Sequence, residues 1–110
     1  MIRYNWLFTL VYACNFGIAT PVLSADPDAG QTIARAECAG CHAIGKEGAS
    51  PLPAAPPFRN FSQKWPVEYL QEALAEGMSV GHGPMPEFIF EPEEISDLVA
   101  YLLTIQQTTK

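Results

Sequence analysis

The sequence predicts an all-α domain of three or four helices joined by extended loops. Two segments, 66–76 and 92–106, place apolar residues three or four positions apart, which is the spacing of one helix face. A third segment, 28–42, is rich in alanine and begins with a helix-capping pattern. No segment alternates apolar and polar residues in the way that is typical of a strand. These observations exclude the β and α/β classes.

The first 25 residues are typical of a secretory signal peptide. Arg3 supplies a positive start, an apolar run covers residues 6–23, and Ala25 is a small residue before a cut. The mature protein would then be one domain, residues 26–110. This organisation predicts export to the periplasm.

Other fates of residues 1–25 stay open. Leu23 is large for its place in a cleavage pattern, so cuts after Ala19 or Ser24 are alternatives. The apolar run is also just long enough for an uncleaved anchor, since a membrane span needs about 17–25 residues. The domain would then face the periplasm from the membrane. Cys14 is either a lipid attachment point or a small apolar residue that is discarded with the signal.

The net charge of the chain limits the classes of partner that it can bind. The chain has 6 basic and 12 acidic residues, a net charge of −6, and removal of residues 1–25 takes away only Arg3 among them. Because no basic stripe exists, the sequence excludes a nucleic-acid partner. An acidic protein is steered towards partners with electropositive docking patches. The alternative is that the acidity serves solubility alone.

The first helix is predicted to begin near Asp28 and to run into residues 38–42. Asp28 can cap the helix, and Gln31, three residues on, can reciprocate. The next segment, 43–64, is predicted to be a long irregular loop, because prolines at 51, 53, 56 and 57 exclude a regular helix.

The second helix is predicted over Pro66–Glu76, with Pro66 at its first position and Gly77 as its stop. Its apolar face carries Val67, Leu70 and Leu74. Another face carries glutamates at positions 68, 72 and 76. This stripe is either a docking face or a solvated helix surface.

The third helix is predicted over Pro92–Gln106. Pro92 suits a helix start, and glutamates at 93 and 94 suit the positive end of the helix dipole. The predicted core face consists of Ile95, Leu98, Val99, Leu102 and Leu103.

Residues 38–42 read Cys-Ala-Gly-Cys-His, the C-x-x-C-H pattern of covalent attachment of a c-type haem. The thiols of Cys38 and Cys41 can each add to one vinyl group of the same porphyrin. His42 is then held under the iron as its proximal ligand. The motif therefore predicts one covalent haem c.

C-x-x-C also occurs in zinc sites and in thioredoxin-like redox sites. A zinc site needs a second Cys or His pair at suitable spacing, whereas the remaining residues of these types are Cys14 and His82. A thioredoxin-like site needs a preceding strand and a βαβ pattern, and neither is visible. Haem attachment explains the motif better than either alternative.

The loop after the motif is predicted to support the haem. A ligating histidine usually donates its other ring N–H to a backbone carbonyl, and Pro56 and Pro57 offer the candidate acceptors for His42. Phe58 and Phe61 are candidates for packing on the ring.

Met85 is the predicted distal iron ligand. A thioether opposite a histidine raises the reduction potential, and Pro84 and Pro86 stiffen the backbone on both sides of Met85. Three alternatives stay open: ligation by His82, ligation by Met78, and an open sixth position. Met78 follows the helix stop directly and is typical of a core-filling methionine.

The sequence resembles the class I, bacterial-type, mono-haem cytochromes c over residues 28–106. The resemblance rests on the C-x-x-C-H motif followed by Met85-Pro86. Gly30 stands where the family places a small residue at a close helix crossing. Residues 98–102 resemble the C-terminal helix that meets this crossing, and residues 56–58 resemble the loop that supports the proximal histidine.

The resemblance implies a cytochrome c fold, with three to four helices and loops wrapped around one covalent haem. It implies a periplasmic one-electron carrier of a respiratory or dehydrogenase chain, not an enzyme with a small-molecule substrate. It also places Pro57, Phe58 and Trp65 in the haem environment, since Trp65 resembles a tryptophan that hydrogen-bonds a propionate in some relatives. The lysine ring of mitochondrial relatives is missing, so their partners are not carried over.

Two rival functions stay open at this point. The same domain could be a tightly bound subunit of a dehydrogenase or oxidase complex. It could also be a haem enzyme or gas sensor with a labile sixth ligand, which requires Met85 to be absent from the iron.

Overall fold

The computed structural model describes residues 12–18, 24–77 and 85–107. Within these ranges the chain forms three α-helices, one π-helical turn and one 3₁₀-helix, and it forms no strand. In chain order these are α1 (Pro27–Ile33), the π-helical turn (Ala34–Cys38), the 3₁₀-helix (Phe58–Gln63), α2 (Tyr69–Glu76) and α3 (Pro92–Ile105). The predicted all-α class is confirmed.

The start of α1 differs from the prediction. Asp26, not Asp28, is the N-cap, and its carboxylate accepts a hydrogen bond from the Asp28 N–H at 2.9 Å. Pro27 takes the first helical position, where a missing N–H costs no hydrogen bond, so the cap falls on the residue before it. The prediction that Asp28 caps the helix was therefore wrong by two residues.

The continuation of α1 into the motif is confirmed, but its last turn is π-helical. The Ala39 N–H donates to the carbonyl oxygen of Ala34 at 3.0 Å, which is a bond between residues five apart. The side chain of Ala34 is completely buried at this turn. Single π turns inside helices frequently stand at functional sites, and this one delivers Cys38.

The helix crossing predicted at Gly30 is confirmed. A Cβ at Gly30 would collide with the carbonyl oxygen of Asp97 and would lie 2.9 Å from the backbone nitrogen of Leu98. The same residue of α3 is bonded to the cap of α1, because the Asp26 N–H donates to Asp97 Oδ1 at 2.7 Å. Only a glycine lets the two backbones approach this closely.

α3 follows its prediction to within one residue at its C-terminus. A capping box closes its start: the Glu91 side chain accepts from the backbone of Glu94, and the Glu94 carboxylate accepts from the Glu91 N–H at 2.9 Å. One core assignment was wrong, since Leu103 is 48% exposed whereas Tyr101 and Ile105 are buried. Leu103 lies about 100° around the helix from Leu102, off the buried stripe.

α2 begins at Tyr69, three residues after the predicted start. The chain already turns before it, but with bonds between residues three apart, such as Leu70 N–H to the carbonyl of Val67 at 3.0 Å. Val67 and Leu70 are buried as predicted, and Leu74 is half-buried. Gly77 ends the helix with a φ of +85°, which confirms the predicted stop.

One core joins these elements. Its buried members come from the π-helical turn, the 3₁₀-helix, the turn before α2, α2 itself and α3: Ala34, Phe58, Phe61, Val67, Leu70, Ile95, Leu98, Val99, Tyr101, Leu102 and Ile105. The prediction that segment 43–64 contains no α-helix is confirmed. Its end nevertheless forms the 3₁₀-helix that follows Pro57.

Part of the predicted leader and two candidate iron ligands lie outside the described residues. The leader is described only at residues 12–18, which have no regular structure and are exposed, and at residues 24 and 25. Met78 and His82 fall in the gap between residues 77 and 85. In the described ranges, no helix is long and apolar enough to cross a membrane.

Candidate cofactor site

The end of the π-helical turn folds the C-x-x-C-H motif into a single compact turn. The carbonyl oxygen of Cys38 accepts hydrogen bonds from the His42 N–H at 2.9 Å and from the Cys41 N–H at 3.2 Å. All three side chains are half-buried, and neither cysteine is in a disulfide. The turn therefore fixes two free thiols and one imidazole relative to each other.

The environment of Cys38 keeps its sulfur protonated. Burial, together with the smaller effect of the nearby Glu37 carboxylate, raises the pKa of the Cys38 thiol from 9.0 to about 11. A thiol with a raised pKa carries little thiolate at neutral pH, so it is protected from oxidation and disulfide exchange.

The imidazole of His42 is oriented by the following loop. Its Nδ1 lies 2.8 Å from the carbonyl oxygen of Pro56. Because a carbonyl oxygen can only accept, Nδ1 carries the proton, and the lone pair of Nε2 in the neutral ring is left for a metal. Of the two acceptors that the sequence allowed, Pro56 fills this role, whereas the carbonyl of Pro57 accepts from the Asn60 N–H.

Aromatic rings continue from His42 towards the surface. The Phe58 ring lies 5.0 Å from the imidazole and 4.9 Å from the Phe61 ring, measured between centroids. The Trp65 ring lies 5.1 Å from Phe61 and is 36% exposed. Phe58 and Phe61 are buried, so they exclude water from one side of the imidazole.

Three further hydrogen bonds fold the loop back onto the motif. Leu52 N–H donates to the carbonyl of Cys41 at 3.1 Å, and Phe58 N–H donates to the carbonyl of Ala43 at 3.0 Å. The Ser50 hydroxyl accepts from the Ala43 N–H at 3.0 Å. Sequence reasoning missed Ser50, although a serine before a proline is a recognised signal for a turn.

The C-terminal helix also contacts the motif loop. The Tyr101 hydroxyl donates to the carbonyl oxygen of Ile44 at 2.6 Å, and its ring is buried. Tyr101 therefore joins the α1–α3 crossing to the loop that carries His42.

Met85 lies at the start of a segment without regular secondary structure that leads into α3. Solvent exposure alternates along the segment from Phe88 to Phe90. Phe88 and Phe90 are half-buried, and their stacked rings lie 5.5 Å apart between centroids, whereas Ile89 between them is 98% exposed. Met85 itself is half-buried.

The donor set at the motif fits a covalent haem. Two unpaired thiols stand three residues apart in one turn, and the adjacent imidazole has a fixed tautomer with Nε2 free. Buried phenylalanines beside the imidazole provide the apolar surroundings that a porphyrin needs.

Comparison with known proteins agrees with this fit. The sequence model of the family described as "Cytochrome c" matches residues 27–106. A "Cytochrome c-553-like" protein of Synechocystis is 32% identical over 83 residues, which cover 76% of this chain and 72% of the relative. A "Cytochrome c6" of Nostoc is 33% identical, covering 80% of this chain and 78% of the relative, and one of Picosynechococcus is 30% identical, covering 91% of each.

Proposed function

The chain belongs to the cytochrome c family, and on that premise we propose that it is an exported one-electron carrier with a single haem held by Cys38, Cys41, His42 and Met85. Family membership gives it the cytochrome c fold, covalent haem c as its cofactor, and electron transport, not catalysis, as its activity. The bound iron supplies the one-electron chemistry, and the protein binds, orients and shields it.

The observation that carries the site assignment is the hydrogen bond between His42 Nδ1 and the carbonyl oxygen of Pro56. This bond orients the imidazole of His42, the residue after Cys41, and leaves its Nε2 free to bind a metal. Cys38 and Cys41 would hold the porphyrin through two thioether bonds, one to each vinyl group. Pro57, Phe58 and Trp65 belong to the surroundings of the haem in this proposal, with Phe58 in contact with the imidazole at 5.0 Å.

Met85 is proposed as the distal ligand. Its flanking prolines restrict the backbone, and Phe90, five residues on, packs against the buried core. A thioether opposite His42 would give the carrier a high reduction potential. This assignment argues against a gas-binding or catalytic role, because Met85 would occupy the sixth coordination position of the iron.

Export is proposed from residues 1–25, with the functional domain at residues 26–110. The family match begins at residue 27, which is consistent with a separate role for the segment before it. A periplasmic location would also suit haem attachment, which takes place outside the cytoplasm. In that compartment the thiols of the motif would oxidise if they did not receive the cofactor.

The proposed partners are redox proteins with electropositive docking patches. The exposed face of α2 and the turn before it present Glu68, Glu72 and Glu76, and α2 itself contains no basic residue. Glu87 is also exposed, two residues after Met85. Association with a positively charged patch should therefore be fast at low ionic strength and slow as salt is added.

The proposal is tested on protein purified from the periplasm. We expect haem to stay bound after denaturation, a far-red thioether-to-iron charge-transfer band in the oxidised state, and a redox titration with one electron. Replacing both Cys38 and Cys41 with serine should abolish the covalent haem, whereas Cys14→Ser should leave it intact. Oxidised protein without the far-red band would overturn the Met85 assignment, and protein without covalent haem would overturn the whole proposal.

A further inference from the structure

The side chain of Gln106 joins the end of α3 to the 3₁₀-helix at two points. Its Nε2 donates to the carbonyl oxygen of Phe58 at 2.7 Å and to that of Leu102 at 2.9 Å. Its Oε1 accepts from the Ser62 N–H at 2.8 Å. A carboxamide has two N–H donors and one oxygen acceptor, so every polar function of this half-buried side chain is in use. Gln106 is therefore held in one orientation by both elements.

The carboxamide of Gln106 takes the place of a helical hydrogen bond. The Phe58 carbonyl and the Ser62 N–H stand four positions apart, and an α-helix would join them directly. Here the single N–H of Ser62 is bonded to Gln106 instead, while the Phe58 carbonyl accepts from the other end of the same carboxamide. The segment between them is a 3₁₀-helix. The end of α3 thus favours the tighter helical form of this segment.

This helical form decides where two aromatic rings lie. Side chains three positions apart eclipse each other in a 3₁₀-helix, whereas in an α-helix they are turned by about 60°. Phe58 and Phe61 are three positions apart, both are buried, and their ring centroids are 4.9 Å apart. Measured in the same way, the imidazole of His42 lies 5.0 Å from Phe58 and 6.4 Å from Phe61. The eclipsed pair therefore places two rings beside one imidazole.

The two rings restrict the imidazole in a way that its hydrogen bond does not. The contact from Nδ1 to the carbonyl of Pro56 directs one ring nitrogen and leaves the tilt of the ring open. The imidazole plane meets the Phe58 ring at 42° and the Phe61 ring at 83°. Because these rings meet the imidazole at different angles, they limit its tilt. Groups around a metal-ligating histidine fix its ring orientation and tune the metal.

We propose that Gln106 is a positioning residue for the proximal iron ligand, and that it sets the plane of the His42 imidazole through Phe58 and Phe61. The inference rests on the proposed function, because it requires haem at the C-x-x-C-H motif with His42 on the iron. Gln106 acts through the 3₁₀-helix and is not itself a ligand. In an oxidised low-spin haem, the plane of the axial imidazole directs unpaired spin density to particular methyl groups of the porphyrin. The proton shifts of these methyl groups therefore report the orientation of the imidazole.

The test compares matured Gln106→Leu with matured Gln107→Leu. The two substitutions are identical, but Gln107 is exposed, and its bond to the carbonyl of Arg59 comes from the backbone, which the substitution keeps. Proton NMR of the oxidised holoproteins gives the porphyrin methyl shifts, and denaturant unfolding gives the midpoint. We expect Gln106→Leu to change the order or the spread of the methyl shifts, and Gln107→Leu to keep the wild-type pattern.

A second substitution separates the two halves of the carboxamide. Gln106→Glu keeps an acceptor for the Ser62 N–H and, when ionised, has no donor for the carbonyl of Phe58. We expect it to change the methyl pattern as well, because the bond at Phe58 is lost. It also serves as the test if Gln106→Leu does not mature.

The outcomes separate this inference from a merely structural role and from the proposed function. A lower unfolding midpoint in Gln106→Leu with the wild-type methyl pattern would show that Gln106 stabilises the fold without orienting His42. If neither Gln106 variant yields holoprotein, a crystal structure of the matured wild type decides. Contacts of Phe58 and Phe61 with His42, beside a bonded Gln106, support the inference, and their loss refutes it. Absence of covalent haem from the wild type would instead overturn the proposed function.

Discussion

The two sides of the proposed haem site are built in different ways. On the proximal side, segment 38–58 folds onto itself through backbone hydrogen bonds, and His42 is oriented by the carbonyl of Pro56. On the distal side, segment 85–90 has no regular secondary structure, and the half-buried rings of Phe88 and Phe90 stand on either side of the exposed Ile89. The proximal ligand is thus positioned by long-range contacts, whereas the distal ligand depends on local stiffness. Damage to the two sides should have different consequences.

Removing the proximal ligand should have the largest effect. We expect His42→Ala to yield no matured protein, because it removes the imidazole from the motif together with its anchor at Pro56. The measurement is the amount of covalent haem in denatured periplasmic protein. Met85→Ala is the matched control and should still mature. Normal holoprotein yield from His42→Ala would contradict the assignment of the proximal side.

Opening the helix crossing should weaken both sides together, since α1 delivers the motif and α3 follows the distal segment. Gly30→Ala places a methyl group against the backbone of Asp97 and Leu98, which cannot move as a side chain can. We expect a loss of about 3 kcal/mol in the free energy of unfolding, at the upper end for overpacking.

Denaturant unfolding of Gly30→Ala measures this loss. Gly45→Ala is the control, because a Cβ at Gly45 meets nothing within 4 Å. Equal midpoints for the two variants would mean that the close crossing does not limit stability.

Removing the distal ligand should change the chemistry of the iron and spare the fold. We expect Met85→Ala to lower the reduction potential by a sizeable part of the roughly 0.8 V that axial ligands cover. Carbon monoxide should then bind the reduced protein. Potentiometry and the carbon monoxide difference spectrum measure these changes. Glu87→Gln, at an exposed position of the same segment, should leave both unchanged. An unaltered six-coordinate spectrum in Met85→Ala would assign the sixth ligand to another residue.

The smallest expected effect concerns the bond between α3 and the motif loop. Tyr101→Phe removes a buried hydroxyl that donates to the carbonyl of Ile44 at 2.6 Å. We expect a loss of about 1 kcal/mol in the free energy of unfolding, the usual value for one hydrogen bond. Tyr69→Phe is the control, since Tyr69 is 69% exposed. If both substitutions cost the same, Tyr101 contributes only through its ring.

The parts of this fold that could be predicted are those fixed by local sequence. α3 was predicted to within one residue, because its start, its dipole charges and its apolar stripe all agree. The acceptor for His42 was predicted as the carbonyl of Pro56 or Pro57, because a ligating histidine usually donates its other ring N–H to a backbone carbonyl. Gly30 was identified through the resemblance to the family, which places a small residue at this helix crossing.

The parts that could not be predicted depend on contacts between distant residues. Gln106 is hydrogen-bonded to Phe58 and Ser62, which stand more than 40 positions away in the sequence. No local sequence pattern predicts these two bonds. The π-helical turn at Ala34–Cys38 has no known sequence signal, and its first residue, Ala34, lies in the buried core. The helix starts at Pro27 and Tyr69 were misjudged because a proline can precede its helix by a turn or open it directly.

Because the backbone nitrogen of Asp26 donates a hydrogen bond to Asp97, the position of signal cleavage would affect the contact between α1 and α3. A cut after Ala25 would convert that amide into an α-ammonium group, and the 2.7 Å contact would become an ion pair. The pair would offset the cost of a positive charge at the start of α1. A cut after Ser24 or Ala19 would leave a neutral amide there. The exact first residue of the mature chain would then set the charge balance at the α1–α3 crossing.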